Sequence, residues 1–123
     1  EACFLLNFGT VAADDALKVY VGAATATKTT AIAFKYRLAA ADTGSALSDT
    51  LGAFTSVAST GLTLTAATYD HKLLVVEIDS QSIDDATPWV TLELAGSASA
   101  QNISIVAIAE PRHASNAGTP SVI

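Results

Sequence analysis

Apolar and polar side chains alternate with a spacing of two along much of this 123-residue chain. That period confines those stretches to extended structure, because strand side chains point to opposite faces in turn. The cleanest case is Ala31–Leu38, where Ile32, Phe34, Tyr36 and Leu38 share one face and Ala33, Lys35 and Arg37 the other. A helix would scatter both sets around its circumference. Phe4, Leu6 and Phe8 alternate with Cys3, Leu5 and Asn7 before Gly9, and Leu17, Val19 and Val21 with Lys18 and Tyr20 before Gly22. Leu62 and Leu64 repeat the pattern, as do Val90, Leu92 and Leu94 against Trp89, Thr91 and Glu93 after Pro88. Phe54–Val57 adds a short strand.

Two runs are apolar on both faces. In Lys72–Asp79, Leu74, Val76 and Ile78 oppose Leu73 and Val75. In Asn102–His113, the β-branched residues Ile103, Ile105, Val106 and Ile108 precede Glu110 and Pro111. Such a run predicts an inner strand covered by protein on both sides. Pro111, which lacks a backbone donor, would end its ladder. The link Gly96–Gln101 predicts a hairpin to the preceding strand. Ala39–Leu51 is the longest irregular region, and Ser80–Thr87 reads as a connection with one helical turn and an Asp cap. Eight candidate strands without an amphipathic helix predict an all-β fold, an antiparallel β-sandwich that is jelly-roll or Greek-key like. A single domain over residues 1–123 would then carry an N-terminal segment and an extended C-terminal arm from about residue 110.

Charge and composition narrow the function. Only 15% of residues are charged and half are hydrophobic, so the surface is weakly protected against association and much of it should lie against partners. A net charge of −6 with scattered Lys and Arg argues against direct nucleic-acid binding. No apolar run approaches the roughly 20 residues of a membrane-spanning helix, and no membrane partner is expected. The single cysteine, Cys3, allows no internal disulfide. Met is absent even at position 1, so the chain reads as an incomplete translation product, and its start lacks the basic segment of a signal peptide.

No catalytic constellation emerges, and no enzyme, cofactor or metal site is expected. His71 lies in an isolated Asp70-His71 turn and His113 in the C-terminal arm, short of the ligand sets that hold zinc. Asp79, Asp84 and Asp85 lack the calcium-loop pattern and read as a cap or acidic turn. No nucleophile elbow or phosphate loop occurs. Asn102-Ile103-Ser104 matches a glycosylation sequon but opens a predicted inner strand. Trp89 reads as a packing aromatic at a strand start.

Three segments together resemble the capsid decoration, or cement, proteins of tailed bacteriophages, small β-sandwiches from the head-gene region. They are Leu73–Asp79, an apolar strand ending in Asp; Pro88–Leu94, with its Trp-Val strand; and Val106–His113, closing in Pro-Arg before His113, where related chains often carry Tyr. The likeness covers about the last half of the chain. It implies a structural virion protein on the capsid exterior, made in the bacterial host cytoplasm. Such a protein would bridge subunits of the major capsid protein and assemble as a homodimer or homotrimer. Contact arms are then expected at Glu1–Phe8 (Phe4, Leu6, Phe8) and Glu110–Ile123 (Pro111, Arg112, His113, Pro120, Ile123). Ala39–Leu51 (Leu47, Leu51) is a third. Two other readings stay open: a carbohydrate-binding or adhesin-like sandwich stacking sugars on Trp89, Tyr69 and Tyr20, and a small jelly-roll shell protein.

Overall fold

The computed structural model describes residues 2–40, 50–96 and 102–109. They form nine strands: β1 Ala2–Phe8, β2 Asp15–Gly22, β3 Thr30–Ile32, β4 Phe34–Leu38, β5 Thr55–Val57, β6 Leu62–Leu64, β7 Leu73–Ile78, β8 Trp89–Leu94 and β9 Ile103–Ala109. A four-residue helix, α1 Ala66–Tyr69, and a 3₁₀ turn at Ser80–Ser82 complete the elements. All pairings are antiparallel. The result is an all-β sandwich whose chain crosses repeatedly between its two antiparallel sheets.

The five-stranded sheet runs β5-β4-β7-β1-β9. In the second sheet β2 is central. Leu17 pairs with both Leu94 and Leu62, and Val19 with both Leu92 and Ile32, so β8 holds one edge of β2 while β3 and β6 share the other end to end.

Alternation decides which face each strand buries. Leu6 and Phe8 of β1, Leu74, Val76 and Ile78 of β7, and Phe34 of β4 meet Leu17, Val19 and Leu64 from the opposite sheet. Leu6, Leu17, Leu64, Leu74, Val76 and Ile78 retain no solvent exposure. Tyr69 of α1 joins them, its ring edge-on to Phe8 with centroids 6.3 Å apart. Burial is the main force pushing its hydroxyl pKa upward, with a hydrogen bond to Tyr36 adding to it. The phenol therefore stays neutral, as a buried ring in an apolar core requires.

Local chemistry sets the turns. Gly61 enters β6 at φ +99°, and a Cβ there would lie 2.7 Å from Lys18 Cγ and 2.8 Å from the Leu17 carbonyl oxygen. Only glycine tolerates both constraints. Asp79 caps the 3₁₀ turn by accepting from Gln81 N at 3.0 Å, and Asp84 accepts from Thr87 N and Oγ1. Asp70 Oδ1 accepts from Val11 N at 2.8 Å, and the His71 amide donates to the Gly9 carbonyl. These bonds tie the α1 turn to the end of β1.

Three expectations need correction. Ala31–Leu38 is two strands, because the chain leaves one sheet after Ile32 and enters the other at Phe34. The exposed Ala33 forms the corner, so the inward set keeps its alternation through the bend. β8 and β9 do not form a hairpin, since they pair with β2 and β1 in opposite sheets. Most important, β9 is an edge strand and not an inner one. Its only partner among the described residues is β1, and Ile105, Val106 and Ile108 are each about half exposed. A continuous apolar run records that both faces avoid water. It does not record whether the cover comes from the same chain.

Leu74→Ala, at the centre of the inter-sheet contact, should cost about 2–5 kcal/mol in equilibrium denaturation. Gly61→Ala, forced to a positive φ against Leu17, should cost more than about 1 kcal/mol.

Candidate functional site

Because β1, β7 and β4 turn one set of side chains inward, the other set forms the outer face of the five-stranded sheet. The registers order this face into cross-strand rows. One row reads Val106, Leu5, Val75, Arg37; a second reads Ile108, Cys3, Glu77, Lys35; a third reads Ser104, Asn7, Leu73. Toward the β9 edge these rows are apolar or neutral, and charge enters only at β7 and β4.

The charged end is closed on itself. Arg37 Nη2 lies 3.4 Å from Glu77 Oε1, and its guanidinium carbon sits 3.9 Å from the Phe54 ring centroid. Val75, the cross-strand neighbour of Arg37, is buried although it points away from the core. Arg37 Nε is buried without a hydrogen-bond partner. The apolar end is open. Val106 and Ile108 are each 54% exposed, and Ile105, on the core side of the same strand, is 49% exposed. β9 carries no charged residue, so its far edge, unpaired among the described residues, lacks within the strand the Lys or Pro that usually blunts such edges.

The outer face of the four-stranded sheet is different in kind. Lys18, Tyr20 and Gly22 of β2 pair with Glu93, Thr91 and Trp89 of β8. Lys28 forms an ion pair with Glu93 and stands 5.9 Å from the Tyr20 ring centroid. The hydrogen bond from Lys28 is the main cause holding the Glu93 carboxyl below the usual range. The same bond raises the Lys28 pKa. Trp89 is about half exposed, a correction to its expected packing role. Its cross-strand neighbour is Gly22, and the space a Cβ would take there belongs to Thr27, whose Oγ1 would be 1.9 Å away. The ring therefore starts beside a small loop and not under a covering strand.

A groove of about 480 Å³ lies where the chain changes sheets. Phe34, Val57 and Ile78 form part of its wall, and Lys35, Glu77 and Asp79 bring the charge. Among the described residues neither histidine nor cysteine lines it, and no group of three or more metal-ligating side chains occurs. His71 stands in its turn 3.6 Å from Asp70, with most of its side chain in solvent.

The expected contact residues divide sharply. Leu6 and Phe8 are core residues with no surface to offer, and Phe4 is partly buried against that core. The reason is that β1 runs between β7 and β9 and is not a loose arm. Leu51 is 39% exposed and bridges to Ala39. Leu47, Pro111, Arg112, His113, Pro120 and Ile123 lie outside the described residues. Of the three aromatics suggested for sugar stacking, Trp89 and Tyr20 share one face while Tyr69 is in the core. The sequon residue Asn102 is exposed at the start of an edge strand, so the inner-strand objection to it falls away. Sequence reasoning missed Leu5, Phe54 and the exposed flank of β9. The signal for β9 was present in its lack of charge.

Comparison with protein-family models, with curated proteins and with solved structures gives no match.

Glu93 has a lowered folded-state pKa. Its ion-pair contribution is therefore fully present above the unfolded-state pKa and is lost as pH falls through the folded one. Lys28→Ala should move the Glu93 titration midpoint upward in carboxyl-carbon NMR, toward the ordinary glutamate value.

Proposed function

We propose that this chain is a structural virion protein. In this reading it binds the outside of a phage capsid and stabilises the shell by bridging major capsid protein subunits. The observation that carries the reading is the uncharged, half-exposed β9 edge, continuous with an uncharged outer face on β1. Exposed apolar surface of this kind is what a soluble chain covers with a partner. The likeness of Leu73–Asp79, Pro88–Leu94 and Val106–His113 to decoration proteins supports the choice of a capsid as that partner. Attachment by many copies to a repeating lattice needs only modest affinity per contact, since neighbouring contacts raise the effective concentration.

A second reading is favoured by Trp89, which is half exposed on the same face as Tyr20, near the polar side chains of Thr91 and Glu93. An aromatic flanked by polar groups is suited to stacking on a sugar ring. This carbohydrate-binding reading uses the four-stranded sheet, whereas the capsid reading uses the five-stranded one.

Removing residues 110–123 should abolish co-sedimentation with capsids while leaving the β circular-dichroism signal intact. Undiminished co-sedimentation would contradict the proposed arm. Failure of the intact chain to bind capsids, together with glycan binding lost in Trp89→Ala, would replace the capsid reading with the second one.

A further inference from the structure

We infer that β9 is the self-association edge of this protein. Two copies join their β9 strands antiparallel about a two-fold axis through Val106. The inference needs no capsid and stands apart from the proposed function.

The first ground is the edge itself. β9 is seven residues long, is paired only with β1 among the described residues, and presents Ile105, Val106 and Ile108 half exposed. The side away from β1, unpaired among the described residues, is a row of backbone donors and acceptors, a template for another strand.

The second ground is self-complementarity. Two antiparallel strands related by a two-fold axis normal to the sheet keep core-side residues opposite core-side residues. Centring on Val106 pairs all seven residues: Ile103 with Ala109, Ser104 with Ile108, Ile105 with Ala107, and Val106 with its own counterpart. Large side chains meet small ones on the core side, and β-branched or small ones on the outer side. Each pair off the axis is made twice, as in any isologous interface. A roughly regular ladder of backbone hydrogen bonds comes with it.

The third ground is charge. A chain of net charge −6 repels its copy over most of its surface. On the joined sheet, β1 and β9 contribute no formal charge in either copy. Among the described residues, the first acidic side chain inward is Glu77 of β7, already opposite Arg37 and Lys35. At about 4.8 Å per strand the two Glu77 positions would be about 24 Å apart. That is more than twice the screening length of roughly 8–10 Å at physiological salt. No comparable charge-free path crosses the four-stranded sheet, whose outer face bears Lys18, Lys28 and Glu93. A foreign strand would need its own matching pattern, whereas a second copy supplies the match by symmetry.

The test uses the full chain in solution. Sedimentation velocity and light scattering should give a dimer of 12.5 kDa chains at micromolar concentrations. Val106→Lys and Ile108→Lys should each weaken it by at least about tenfold, because an edge lysine opposes strand pairing. Circular dichroism and the melting temperature of the monomer should stay as in the parent, since both side chains are half exposed. Register is read by oxidation in a Cys3→Ser background. Val106→Cys should cross-link to its counterpart, whereas the two Ser104→Cys positions would lie about 13 Å apart and should not. A monomer at all concentrations would overturn the inference. So would a trimer, a dimer indifferent to both lysines, or equal cross-linking at positions 104 and 106.

Discussion

Every strand of a sandwich has two faces, and the core can use only one. The inward faces of β1, β7 and β2 meet through Leu6, Leu74, Val76, Leu17 and Val19, all with essentially no exposure. That burial supplies the stabilisation that offsets the ordering of the chain. What the rest of the molecule must settle is the other face. With 15% of its residues charged, the chain cannot clothe every outward face in ions. The shortage is distributed unevenly. Arg37, Glu77 and Lys35 serve the β4–β7 side, Lys18, Lys28 and Glu93 serve the second sheet, and β1 and β9 are left neutral.

Much of the architecture was legible because period-two alternation reports side-chain direction directly. All eight stretches read as strands contain strands, and the inward sets of β2, β4 and β8 are those the alternation named. The Asp79 cap and the single helical turn after it were also readable, since a short acceptor before a turn has a local cause. Long-range facts were not. The corner at Ala33 leaves alternation unbroken, so nothing in Ala31–Leu38 marks the change of sheet. The position of β9 at an edge depends on its pairing with β1, about one hundred residues away in the chain.

The candidate site was legible in a different sense. Composition raises the expectation of a covered surface, but it cannot say where. Placing the contact on Phe4, Leu6 and Phe8 followed from treating the chain terminus as an arm. The structure makes β1 the strand between β7 and β9, and so the large residues of its inward set belong to the core. The outward Leu5 lies between Val106 and Val75 on the outer face. The charge-free run of β9 predicts an inner strand, and the structure places it at the sheet edge.

The central claim is that the neutral β9 edge is a contact surface and not an idle flank. Amide hydrogen exchange of β9, followed by mass spectrometry as the protein is diluted, tests it most directly. The account predicts that β9 exchanges slowly in concentrated protein and speeds up on dilution, while β7, paired on both sides, stays protected throughout. Exchange in β9 that is fast and independent of concentration, also with capsids present, would contradict it.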